Sequence, residues 1–145
     1  MKILISLISL LLLCNCGSFM DEGFYDVEIN YIKDTWPQQM NHEGTTSLAK
    51  WRFEQINDSS YEWSLLGSAT KHIGKVKGEK LVVHIKQLSE DPEIGEYTLA
   101  VVHFWLKPDG DKFKGKGYSI FMPDFYGFRE DIEFGGKKYQ DILNK

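Results

Sequence analysis

The feature that most constrains this chain is a two-residue alternation of apolar and polar side chains that begins near Gly23. This period places successive side chains on opposite faces of an extended strand, so that one face is buried while the other meets water. Short clusters of turn-forming residues interrupt the alternation repeatedly, which favours antiparallel neighbours joined by tight connections. The first segment shows the pattern through its apolar members, which are Tyr25, Val27, Ile29 and Tyr31.

Turn residues divide the rest of the chain into further strands. The clearest turn is Pro108-Asp109-Gly110, because proline presets φ, aspartate favours turns and glycine accepts a positive φ. The sequence predicts an all-β fold: an antiparallel up-and-down meander of about eight strands that closes into a small barrel or sandwich. Closure is favoured because it removes exposed strand edges. The strands predicted after the first, which precedes a loop from Trp36 to Gly44, cover residues 45–56, 61–70, 71–76, 81–87, 97–106 and 112–122.

Near the C-terminus, a Gly-Gly dipeptide fits the turn of a two-residue hairpin. The dipeptide is Gly135-Gly136, and such pairs suit the positive φ angles of tight β-turns. In that register, Ile132 would face Tyr139 across the two strands. The final residues, 140–145, fit either a strand or a short helical tail.

The N-terminus carries the pattern of an export signal. Lys2 precedes an apolar run from Ile3 to Leu13, which would reach only about 16 Å as a helix, half of a bilayer core. The run ends in Leu13-Cys14-Asn15-Cys16, which resembles a bacterial lipobox in the looser form of spirochaete lipoproteins. The resemblance implies that residues 1–15 form a signal peptide and that Cys16 receives the lipid, with Cys14 as the alternative. Residues 16–22 would then tether a single domain, 23–145, to a membrane.

Cysteine usage and charge exclude several classes of protein. The chain has two cysteines, and both lie at the end of the apolar run, which excludes a disulfide framework and a cysteine-based zinc site in the domain. The formal net charge of −4 argues against a dedicated nucleic-acid binder, which would carry a basic excess.

Residues 60–122 resemble the meander of small calycin-like, or lipocalin-like, bacterial domains. The resemblance rests on glycine and turn positions: Gly67, Gly74, Gly78, Pro108-Asp109-Gly110, Gly115 and Gly117. The short Gly-x-Trp motif of true lipocalins is absent near the first strand. The resemblance therefore implies the barrel architecture and no particular ligand-binding residue.

No catalytic constellation stands out, and we expect neither enzymatic activity, nor a cofactor, nor a metal site. Ser119, His103 and Asp124 can be combined on paper, but no Gly-x-Ser-x-Gly elbow frames the serine. A hairpin that closes around Asp91 would place His84 opposite Leu99, which keeps the two strand histidines apart.

Aromatic residues are the main candidates for a binding role. Alternation predicts that four of them face the barrel interior, where they either fill the core or line a site for one small hydrophobic ligand. These residues are Trp51, Phe53, Trp63 and Trp105. We expect a filled core.

Two surfaces of the predicted barrel need an explanation of their own. The segment from Tyr97 to Leu106 is apolar on both faces, which fits either a strand covered by the C-terminal tail or a patch for a partner. Lys112, Lys114 and Lys116 share the outer face of one strand, where they protect a solvated surface or contact anionic headgroups or glycans.

Together these features predict a bacterial lipoprotein that displays a small non-enzymatic β domain at the cell envelope. The acylated Cys16 would hold it to membrane lipid, at the outer membrane or the periplasmic face of a bacterial membrane. The two alternatives are a carrier of a small hydrophobic molecule and an envelope- or host-facing protein-interaction module.

Overall fold

The computed structural model describes residues 18–139, which form eight β-strands and one short 3₁₀ turn, Gln38–Met40. The predicted signal peptide (residues 1–15), the predicted lipid site Cys16 and the predicted strand or helical tail (residues 140–145) lie outside the described residues. Within the described part, no helix has the length and apolar character needed to cross a membrane. The strands are β1 (Gly23–Asp34), β2 (Thr46–Asn57), β3 (Ser60–Leu65), β4 (His72–Lys77), β5 (Lys80–Asp91), β6 (Gly95–Asp109), β7 (Lys112–Phe121) and β8 (Phe128–Lys138).

The eight strands form one closed barrel in which every strand pairs antiparallel with its neighbours in the chain. The ring closes between β1 and β8, where Tyr25 lies opposite Lys138 and Ile29 opposite Phe134. The predicted fold class, an all-β antiparallel meander closing into a barrel, is confirmed. This architecture is consistent with the calycin-like fold that the sequence resembles.

The two ends of the barrel differ in what they carry. The end where β1 begins, here called the base, carries the β2–β3, β4–β5 and β6–β7 turns and the end of β8. The opposite end, here called the rim, carries the loop of residues 35–45 and the three other connections, 66–71, 92–94 and 122–127. Because the meander is regular, the layers of inward-facing side chains run in order from base to rim.

Large side chains fill the base. Alternate residues of the strands point inward and are almost completely buried, whereas the charged residues between them point outward. The Tyr25 hydroxyl donates a hydrogen bond to the backbone oxygen of Asp21 at 2.7 Å. Burial, with the nearby Asp21 carboxylate, raises the pKa of this phenol well above its usual value, so that it stays neutral. The side chains of this layer are Tyr25, Phe53, Tyr61, Leu81, Leu106 and Phe113.

The segment before β1 closes the base. Met20 is only 3% exposed, and its backbone N–H and C=O both bond the Tyr61 hydroxyl, each at 3.1 Å. Phe19 packs against the ring of Tyr61. The described residues of the predicted tether, 18–22, are therefore partly docked into the barrel. Within residues 18–139, the buried core runs from Met20 to Phe134.

The predicted hairpin at Gly135-Gly136 is wrong. Both glycines lie inside β8, which runs without interruption from Phe128 to Lys138, so Ile132 does not face Tyr139. Neither glycine has a positive φ, so no turn conformation is involved. Gly136 instead lies beneath the ring of Phe113, which fills the space that a Cβ atom would need.

The turn between β5 and β6 also differs from its prediction. Asp91 pairs with Gly95, so the turn lies at residues 92–94 rather than around Asp91. This shift changes every partner in the hairpin, and His84 lies directly opposite His103 instead of Leu99. The Pro108-Asp109-Gly110 turn is confirmed, since Asp109 pairs with Lys112 and Gly110 has a φ of +62°.

Candidate functional site

Trp51 organises the middle layer of the barrel interior. Its ring lies against Trp63 on the neighbouring strand, at 5.3 Å between centroids. It also lies against three rings from across the lumen: Phe104 at 5.3 Å, Phe134 at 5.0 Å and Phe113 at 6.0 Å. Because these rings belong to β2, β3, β6, β7 and β8, they span the lumen at this level. Trp51, Phe53 and Trp63 are buried, as the alternation predicts.

The prediction that Trp105 faces the interior is wrong. Its neighbours Phe104 and Leu106 are buried in the core, so strand alternation turns Trp105 outward. There its ring lies under the ammonium group of Lys80, whose Nζ is 3.9 Å from the ring centroid. This is a cation–π contact on the outer surface. Trp105 is therefore removed from the candidate ligand-lining residues.

The rim half of the lumen is lined by smaller side chains that are only partly buried. They continue the inward-facing rows: on β2, Ala49 follows Trp51 towards the rim, and on β6, Val102 follows Phe104. Each packs on the core yet retains contact with solvent. We call this lining the cup, and its members are Ile29, Ala49, Ile85, Val102 and Ile132.

The rim loop adds an aromatic wall beside the cup. Trp36, from the loop after β1, lies between Phe121 and Phe128 with both ring centroids at 4.9 Å. These two phenylalanines are cross-strand partners at the rim end of β7 and β8. The loop is therefore packed onto the barrel rather than extended from it.

Two buried indole N–H groups have no acceptor. The Nε1 atoms of Trp51 and Trp63 are out of contact with water and find no hydrogen-bond partner in the described part of the chain. A buried donor left unpaired costs about 1–3 kcal/mol, so such groups call for an explanation. Both belong to the layer between the filled base and the cup, where the lumen changes from filled to partly open.

A groove crosses the outer surface over β1, β2, the last residues of β6, β7 and β8. Its volume is about 1050 Å³, and Gly135 contributes to it because this outward position lacks a side chain. Two pairs of lysines lie directly opposite one another along it, Lys107 with Lys114 and Lys112 with Lys137. Like charges placed in this way destabilise a sheet unless they are compensated, and Lys107 is compensated by Glu79, whose Oε2 lies 2.9 Å from the Lys107 Nζ. The outward stripe of Lys112, Lys114 and Lys116 is confirmed as exposed.

The two strand histidines meet on the outer face. The Nδ1 atoms of His84 and His103 are 3.3 Å apart, in contrast to the prediction that they are separated. His103 also lies against Tyr118, with 5.6 Å between ring centroids. Ser119 and His103, two members of the Ser119, His103 and Asp124 combination considered above, do not come together. Ser119 pairs with the inward-facing Val102, whereas His103 points outward.

A polar cluster at the rim was missed by the sequence reasoning. It joins Asp34 at the end of β1, His42 in the rim loop and Glu130 in β8. The His42 Nδ1 atom is 3.2 Å from Glu130 Oε1 and 3.9 Å from Asp34 Oδ2. Asp34 and Glu130 are opposite one another in the β1–β8 seam, a pairing that no local pattern reveals.

Comparison with known proteins finds no matching family model, no matching curated protein and no matching solved structure.

Proposed function

We propose that this chain is a lipid-anchored, non-enzymatic barrel of a bacterial cell envelope that binds a small apolar molecule in the cup. The observation that carries the proposal is the pair of unpaired indole N–H groups of Trp51 and Trp63 beneath a partly exposed apolar lining. Ligand sites of this kind combine apolar walls with a few polar groups that fix orientation. A ligand with an apolar body and a carboxylate or carbonyl group would supply the acceptor that these donors lack.

The N-terminal segment supports an orientation for the anchored barrel. Met20 is fixed in the base, and Cys16 precedes it by four residues. Four extended residues span at most about 14 Å, so a lipid on Cys16 would hold the base close to the membrane surface. The rim and the cup would then face away from the membrane, where a ligand can enter.

The ligand proposal predicts saturable binding of a long-chain fatty acid to the soluble barrel, residues 17–145. Titration calorimetry below the critical micelle concentration should give one ligand per barrel, which native mass spectrometry can check. Trp51→Phe and Trp63→Phe keep an aromatic ring but remove the donor, so each should weaken binding about ten-fold or more, the value of a hydrogen bond to a charged group.

Two controls separate the cup from the outer surface. Trp105→Phe changes a tryptophan outside the lumen and should leave the affinity unchanged. An alkane of equal length should bind more weakly than the fatty acid, because it leaves the indole N–H groups unpaired. If the barrel shows no saturable binding, the cup proposal fails.

The anchor has its own test. Cys16→Ser in the full chain should move the protein from the detergent phase to the aqueous phase, since two or three acyl chains at about 0.8 kcal/mol per buried CH₂ make anchoring effectively permanent. Cys14→Ser is the matched control and should leave the protein in the detergent phase. If only Cys14→Ser moves the protein to the aqueous phase, the lipid is carried by Cys14.

A further inference from the structure

We propose that Asp34, His42 and Glu130 bind a divalent transition-metal ion of the Zn²⁺ type at the rim of the barrel. The inference does not rest on the cup or on its ligand. One nitrogen and two carboxylate oxygens, one from each residue, lie within 4.8 Å of one another. They come from the end of β1, the rim loop and β8, so an ion bound between them would clamp the loop to the barrel.

The spacing of the donor atoms fits chelation. Two atoms that each lie about 2.0–2.2 Å from a tetrahedral zinc ion are about 3.3–3.6 Å apart. The His42 Nδ1 to Glu130 Oε1 distance of 3.2 Å is within about 0.1 Å of this range. The 3.9 Å distance from the same nitrogen to Asp34 Oδ2 needs to close by only about half an ångström.

The charge of the cluster also calls for a cation. The Asp34 side chain is fully buried, and buried carboxylates are normally paired or bound to a metal. Across residues 18–139, no lysine or arginine nitrogen lies within 4 Å of a carboxylate oxygen of Asp34, Glu43 or Glu130. Glu43 adds a further negative charge beside Asp34, since its Oε2 accepts the Asp34 backbone N–H at 3.2 Å.

The ligating groups are held in place before any ion arrives. The Asp34 carboxylate accepts backbone N–H bonds from Trp36 at 2.7 Å and from His42 at 2.6 Å, one on each oxygen. The His42 ring also packs against Tyr31, with 5.2 Å between centroids. Such outer contacts orient metal ligands and reduce the cost of ordering them.

The donor set selects the class of metal. Imidazole nitrogen with carboxylate oxygens suits zinc and neighbouring transition metals, whereas Mg²⁺ and Ca²⁺ prefer sites built wholly from oxygen. Three protein ligands also leave one coordination position for water or for a ligand group.

The experiment uses the full chain, purified in non-ionic detergent, stripped with a chelator and titrated with zinc chloride. We expect one equivalent to bind and to slow hydrogen exchange in residues 35–45, because the ion ties the loop to β8. His42→Ala and Glu130→Gln should each weaken binding at least ten-fold. His42 is the safer variant for folding, because its side chain is 55% exposed.

The outer histidine pair provides the matched control. His84→Ala removes one histidine of the close pair on the outer face and should leave the rim affinity unchanged. Magnesium chloride, titrated in the same way, should not bind. Zinc binding that survives both rim variants, or that is lost only in His84→Ala, would overturn the proposal, as would the absence of zinc binding to a folded wild-type chain.

Discussion

Replacing Trp51 with alanine is expected to lower the free energy of unfolding by about 3–5 kcal/mol, the range found for removing a large buried aromatic side chain. Trp51 is 3% exposed and packs against rings from across the lumen, so the cavity left behind could not collapse without moving several strands. Urea unfolding of the soluble barrel, followed by circular dichroism, measures the change.

Trp105→Ala is the matched control for this prediction. The same side chain is removed, but from the outer surface, where the contact with Lys80 contributes about 1 kcal/mol or less. A larger loss for Trp105→Ala than for Trp51→Ala would show that β6 has the opposite face inward and would contradict the register of the barrel.

Gly136→Ala is expected to destabilise the barrel by about 1–3 kcal/mol or more, as overpacking a tight core does. A Cβ atom at this position would overlap the Phe113 ring, which is itself wedged among the other aromatic rings and cannot rotate away. Thermal unfolding of the soluble barrel should therefore show a lower midpoint temperature.

The adjacent glycine provides an internal comparison. At Gly135, a Cβ atom would point outward and meet nothing closer than the Phe113 backbone oxygen at 3.7 Å, which is ordinary contact. Gly135→Ala should change stability by no more than about 0.5 kcal/mol. Equal effects at both positions would mean that the glycines act through backbone freedom rather than through the space they leave.

The outline of the barrel could be predicted because local chemistry determines it. In β2, charged residues flank Trp51 and Phe53 on both sides, so only one face can be buried. In β6, by contrast, both faces are apolar, and alternation alone cannot decide between Phe104 and Trp105. Which face of β6 points inward depends on the pairing of Leu106 with Leu81, which places both leucines in the core.

The incorrect hairpin has a physical explanation. A Gly-Gly pair serves equally well in a tight turn and in a strand that passes beneath a large ring. At Gly136 the ring is that of Phe113, which lies on another strand and is brought there by the β7–β8 pairing. Nothing close to the dipeptide in the sequence distinguishes the two uses.

The rim cluster is out of reach of sequence reasoning for a related reason. His42 and Glu130 are 88 residues apart in the chain. They meet because the barrel closes between its first and last strands, and because Asp34 holds the loop back through its carboxylate. A pattern search confined to neighbouring residues does not bring His42 and Glu130 together.

The seam between β1 and β8 has a consequence for how the chain folds. Every other described strand pair joins neighbours in the sequence, whereas this pair joins Tyr25 to Lys138. Closing a flexible loop of this length costs about 4 kcal/mol of entropy, more than any hairpin, so we expect the ring to close last. Until then β1 and β8 are open edges that could pair with another copy of the chain. Asp26 lies opposite Lys137 across the seam, and this match of charges favours pairing of β1 with β8 over pairing of β1 with β1, or of β8 with β8, from a second copy.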